Sequence, residues 1–137
     1  MTEASTGFLA DGLLSTTVEP APGDVVALAA SACVACGRHE FPARDHCPTC
    51  RLAMAPVALS PSPRVAGYTA VNHPPPGASI GTPYVVAIGA FTEGISVMGV
   101  VHGAGIDEIT MGDALETVAV DIGGRIGFGF RLASGRR

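Results

Sequence analysis

Five short apolar runs occupy the second half of this chain, at Val65–Val71, Tyr84–Phe91, Ile95–His102, Ala114–Asp121 and Arg125–Leu132. Each is rich in β-branched or aromatic residues and is bounded by glycine, proline or polar positions, the signature of a strand. Thr92-Glu93-Gly94 and Ile122-Gly123-Gly124 join neighbouring runs at hairpin length, with glycine where the turn needs a positive φ. Glycines within the runs (Gly89, Gly99, Gly127, Gly129) predict strongly coiled or bulged strands of a closed sheet. A five-stranded Greek-key barrel of this size is the OB-fold.

Two connections are longer than hairpins. Asn72 to Pro83 contains His73-Pro74-Pro75-Pro76-Gly77, too rich in proline for a helix or a central strand. Its stiffness lowers the entropy lost on docking, which makes it the best loop candidate for contacting a partner. Gly103 to Gly112, with Ile106-Asp107-Glu108-Ile109, is expected to hold a single helical turn. Upstream, Pro56, Pro61 and Pro63 punctuate a predicted linker, placing a boundary near residues 55 to 63. Residues 1–25, with scattered apolar positions (Phe8, Leu9, Leu13, Leu14, Val18) broken by Gly12 and Pro20, form an N-terminal arm or short helix. The expected division is thus an arm over 1–25, a metal-stapled module over 26–55 and the barrel over 56–137.

All four cysteines of the chain fall in one stretch, Cys33-x-x-Cys36 and, after ten further residues, Cys47-x-x-Cys50. Two such turns brought face to face supply four soft ligands for a tetrahedral structural zinc ion, the arrangement of a rubredoxin-like zinc ribbon. Gly37 after the first pair permits a positive φ, and Pro48 stiffens the second turn. Two disulfides would need an oxidising compartment, and no signal peptide precedes the motif. A redox pair is seldom duplicated at ribbon spacing. Iron uses the same four thiolates, so spacing leaves a rubredoxin-like electron carrier open. His39 and His46 lie inside the motif and are expected outside the ligand set.

Charge narrows the partners. Only 15% of residues are charged, against about a quarter in an average soluble domain, which implies that some apolar surface lies against a partner. The net charge is −4, lysine is absent, and four arginines near the cysteines (Arg38, Arg44, Arg51, Arg64) make the one mildly positive region. Nucleic-acid binding needs a basic stripe and is disfavoured. The apolar run Val25 to Ala35 contains Ser31 and is too short to span a bilayer, so a cytoplasmic location is expected.

The order of these parts resembles the DUF35 family of zinc-ribbon plus OB-fold proteins. The resemblance runs from about Ala32 to Leu132 and is carried by Cys33-Val34-Ala35-Cys36-Gly37, Phe41-Pro42-Ala43-Arg44, Cys47-Pro48-Thr49-Cys50, Gly67-Tyr68-Thr69, Pro83-Tyr84-Val85-Val86-Ala87, Met111-Gly112-Asp113 and Phe128-Gly129-Phe130-Arg131. It implies zinc at Cys33, Cys36, Cys47 and Cys50, no catalytic centre of its own, and an obligatory complex with a thiolase-like or other acyl-CoA enzyme. Arg51 stands where that family often has glycine, and the N-terminal segment is acidic rather than aromatic and basic.

The residues agree that catalysis lies elsewhere. A thiolase reaction needs an uncommitted cysteine, and none is left over; no G-x-S-x-G or H-E-x-x-H pattern occurs. Val101-His102-Gly103-Ala104-Gly105 has the outline of an oxyanion-hole loop without a nucleophile, so His102 reads as a strand-end histidine before a glycine turn. His73, beside the proline run, is a candidate contact to ligand or partner. The expected function is a non-catalytic subunit of a thiolase-type acyltransferase or lyase, in which the barrel and its loop cover the substrate entrance and arginines meet CoA phosphates. The alternatives are an accessory subunit of a hot-dog-fold enoyl-CoA hydratase, a single-strand-binding OB protein, or an electron carrier.

Overall fold

A computed structural model describes residues 13–15, 20–73 and 83–133. Nearly all regular structure in them is strand. Three strands form the first sheet: β1 (Ala29–Cys33), β2 (His39–Glu40) and β3 (Met54–Ala58), in the order β2-β1-β3, all antiparallel. Five more, β4 (Arg64–Val71), β5 (Tyr84–Ala90), β6 (Ser96–Val101), β7 (Leu115–Ile122) and β8 (Arg125–Leu132), form a second sheet in the order β4-β5-β6-β8-β7. These five lie within one or two residues of the runs read from sequence. The turn over Ile106–Glu108 is a single 3-10 turn, as expected. Most of the proline-rich loop (74–82) and most of the N-terminal arm lie outside the described residues.

The linker expected across residues 55 to 63 begins as a strand instead. β3 pairs with β1 from Ala29↔Ala58 to Cys33↔Met54, with Pro56 opposite Ser31. The proline is tolerated because β3 is an edge strand and the missing N–H falls on its open side. Beyond it, the five-stranded sheet curls toward closure without a continuous seam. Its outer strands meet through the single bridge Arg64↔Ala114, while Leu115 and Thr117 donate N–H bonds of 2.8 and 2.9 Å to the carbonyls of Pro63 and Pro61. Prolines can accept but cannot donate, so this stretch cannot form the reciprocal ladder a closed barrel would have. Residues 23–26 extend the same edge of β7, where the Gly23 and Val26 N–H groups bond the Ala119 and Thr117 carbonyls and Ala119 N–H bonds the Asp24 carbonyl.

One hydrophobic core joins both sheets. Leu28, Ala30 and Leu59, at the base of the first sheet, cluster with Val85, Ala87, Leu115, Ala119 and Phe130 of the second. Phe130 is fully buried and packs against Phe91 and Phe128, whose centroids lie 6.4 and 6.1 Å away. Phe41, between the two cysteine pairs, meets Phe128 edge-on at 6.1 Å. The in-strand glycines have a more specific role than coiling. A β-carbon at Gly99 would lie 2.9 Å from the Phe130 ring and one at Gly89 3.1 Å from it, so both make room for that ring. The register shift itself falls between Val65 and Gly67.

Thr117 on β7 is fully buried, and among the described residues its hydroxyl has no hydrogen-bond partner. An unsatisfied buried hydroxyl costs about 1–3 kcal/mol. Thr117→Val keeps the branched shape and removes the polar atom, so it is expected to raise stability by about 1 kcal/mol; a lower midpoint in urea unfolding would contradict this.

Candidate metal centre

The cysteines are placed by two turns of matching geometry. In the first, at the end of β1, Gly37 N–H bonds the Cys33 carbonyl (3.0 Å) and Cys33 N–H bonds the Arg38 carbonyl (2.8 Å). In the second, Arg51 N–H bonds the Cys47 carbonyl and Cys47 N–H bonds the Leu52 carbonyl, both at 2.8 Å. Each turn aims two amides at its leading sulfur: Ala35 and Cys36 at Cys33 Sγ, Thr49 and Cys50 at Cys47 Sγ, all at 3.4 Å. Amides donated to sulfur stabilise the thiolate over the thiol.

The turns bring all four sulfur atoms within 4.8 Å of one another, with Cys36 Sγ and Cys47 Sγ 3.8 Å apart. A tetrahedron with metal–sulfur bonds of about 2.3 Å has edges of about 3.8 Å, so this donor set fits a thiolate-loving ion. Cys33 and Cys47 are buried, Cys50 is half-buried and Cys36 is exposed. The amides of Cys36 and Ala35 bring the Cys33 thiol down to about 6. Hydrogen bonding with Cys36, together with burial, pushes Cys50 up to about 12. Cys47 is lowered, chiefly by the Cys50 amide. A crowded cluster in which one thiol ionises easily and another resists is one that a cation at its centre would even out.

Gly37 and Arg51 hold equivalent places, with φ of +79° and +67°. The left-handed region suits glycine and costs an ordinary residue about 1 kcal/mol or more, so Arg51 carries local strain that Gly37 does not. Arg51→Gly is expected to leave metal content intact and raise the thermal midpoint slightly. A fall in midpoint would show that the arginine side chain contributes more than its backbone costs.

The two histidines of this region stand outside the cluster. His39 Nδ1 lies 3.0 Å from the Gly37 carbonyl, and exposed His46 bridges to Ala53. Of the arginines, Arg38 is ion-paired with Glu40, which raises its pKa, and Arg64 Nη1 donates to the Gly112 carbonyl at 3.1 Å. Arg44 and Arg51 are exposed. His73 is exposed at the near end of the proline-rich loop. His102, read from sequence as a strand-end histidine, is half-buried just past β6. Among the described residues no helix is long and apolar enough to cross a membrane.

A ribbon whose four clustered thiols are a donor set that fits a metal ion, joined through a shared core to a five-stranded OB-type barrel, defines a ribbon–barrel protein. A model of the ChsH2 C-terminal OB-fold domain matches residues 56–120. A DUF35 domain-containing scaffold protein of Methanothermobacter thermautotrophicus is 32% identical over 112 residues, 77% of this chain and 84% of that protein. The chain belongs to the DUF35 family. Among solved structures, the Ltp2-ChsH2(DUF35) aldolase has a chain 26% identical, with a TM-score of 0.67 over 77% of this chain and 84% of the other. A DUF35-family protein of unknown function from Sulfolobus solfataricus shares the fold, with a TM-score of 0.51 at 18% identity over 78% and 76% of the two chains.

Proposed function

We propose that this chain is the non-catalytic, zinc-binding subunit of a hetero-oligomer in which a thiolase-type partner acts on an acyl-CoA. The observation that carries this reading is the likeness, over 77% of this chain, to a chain of the Ltp2-ChsH2(DUF35) aldolase. The description of the archaeal relative as a scaffold protein supports it. So does the chemistry within the chain, because all four of its cysteines converge on one cluster and leave no thiol nucleophile for acyl transfer.

In this reading Cys33, Cys36, Cys47 and Cys50 ligate one structural zinc ion, which holds residues 26–55 as a rigid ribbon. Residues 56–137 form the barrel module, and residues 1–25 the arm. A reducing cytoplasm keeps the thiols available for metal, and the complex is placed there. The exposed apolar side chains Met98 (63% exposed) and Ile88 lie opposite each other on β6 and β5, consistent with a surface that a partner covers. Exposed Arg44 and Arg51, beside the cysteine cluster, are the cations offered to CoA phosphates in this reading. The test is recovery of the tagged chain from its native host with mass-spectrometric identification of what accompanies it. A thiolase-type enzyme in fixed stoichiometry supports the proposal; a hot-dog-fold hydratase in its place, or the chain alone, overturns it.

A further inference from the structure

His102 belongs to none of the machinery described above, yet it is the most unusually placed ionisable group outside the cysteine cluster. Its backbone N–H bonds the Phe130 carbonyl at 2.8 Å, which continues the single β6–β8 rung at Val101↔Phe130. Its ring packs against β8 at Gly129: a β-carbon there would sit 2.7 Å from both Cδ2 and Nε2 of the imidazole. The glycine thus fixes where the ring rests. Gly103, which follows, has a φ of +81° and turns the chain across the end of the barrel.

His102 is a lining residue of two cavities. One, of about 270 Å³, is lined by Ala70, Tyr84, Val85, Val101 and Ile106. The other, of about 400 Å³, is lined chiefly by apolar atoms, with Asp121 and Arg131 at its side. Burial alone shifts the His102 pKa, and it shifts it down, so the ring is uncharged at neutral pH, with one N–H donor and one acceptor nitrogen. Among the described residues neither nitrogen has a hydrogen-bond partner. The nearby cation is already committed: Arg131 Nε bonds Glu116 Oε1 at 2.8 Å and its Nη1 bonds the Gly23 carbonyl at 3.0 Å. An anionic ligand would find no counter-charge here, whereas an uncharged one with an apolar body and a single acceptor would find both apolar walls and a donor.

We propose that the cavity bounded by Val85, Val101 and Ile106 is a binding site for a small, uncharged, mostly apolar carbonyl compound, with the His102 ring donating the hydrogen bond to its oxygen. The site lies wholly within this chain and stands whether or not the complex proposed above exists. Its test uses the full-length, metal-loaded chain and heptan-2-one as probe, followed through the ring signals of the four histidines by NMR. The expected result is a saturable shift of the His102 ring signals, with those of His39, His46 and His73 unmoved. Heptanoate, of equal length but charged, is expected to bind at least about fivefold more weakly, and His102→Ala to lose a similar factor with ketone, the size of one ordinary hydrogen bond. Ile106→Trp, at an exposed rim position that perturbs no core, is expected to block the His102 shift. An unmoved His102 signal, equal binding of heptanoate, or full affinity in His102→Ala or Ile106→Trp would overturn the proposal.

Discussion

Cys33→Ser is expected to reduce zinc from one ion per chain to near none at micromolar free metal and to destabilise the protein by at least about 4 kcal/mol, the range of lost metal sites. Two features make the effect large. Cys33 ends β1, the central strand of its sheet, and its sulfur collects the amides of Ala35 and Cys36, which favour a thiolate that serine cannot supply. The base of that sheet also contributes Leu28, Ala30 and Leu59 to the common core, so loosening the ribbon exposes apolar surface of the barrel. His46→Ala, just outside the cluster, is expected to change neither metal content nor stability. Metal-free protein regained by chelation should bind zinc more tightly as pH rises. Cys33, with its pKa lowered to about 6, supplies thiolate first, and binding must expel protons from thiols that still hold them, Cys50 above all, at about 12. The depressed Cys33 value also favours the metal-free fold increasingly between about pH 6 and pH 9, and that gain is lost as pH falls through 6. Retention of zinc in Cys33→Ser, measured by atomic emission on desalted protein, would contradict the ligand assignment.

Phe130→Ala is the second large effect. The side chain is fully buried, touches the rings of Phe91 and Phe128, and fills the space that Gly89 and Gly99 leave open on the adjoining strands. Glycines cannot collapse into the vacancy, so the cost should fall at about 3–5 kcal/mol, the range for deleting a buried phenylalanine. Guanidinium unfolding measures it. A loss below about 1 kcal/mol would mean that the ring is not the centre of the barrel.

The barrel strands were readable because each is a short β-branched run closed by glycine or proline, and side-chain chemistry alone marks such runs. The convergence of the four cysteines was readable for a similar reason: paired C-x-x-C turns specify their own local geometry whatever surrounds them. What sequence did not reveal depends on distant neighbours. β3 looked like linker because Pro56 is compatible with a strand only at an edge, and edge position follows from the sheet order. The unfinished seam between β4 and β7 follows from Pro61 and Pro63 facing Thr117 and Leu115, a pairing more than fifty residues apart in sequence. Gly89 and Gly99 read as generic bends until Phe130, from another strand, was seen against them. His102 gave only a faint motif, since its interest comes from two cavities that several elements enclose.

The central claim is that this chain supports chemistry it does not perform. It is tested most directly by assaying acyl-CoA turnover with the chain alone, with the thiolase-type enzyme proposed as its partner alone, and with the two combined. The expected result is no turnover by the chain, little by the enzyme alone, and full activity only in the combination. Turnover by the chain alone, or a partner indifferent to its presence, would contradict it.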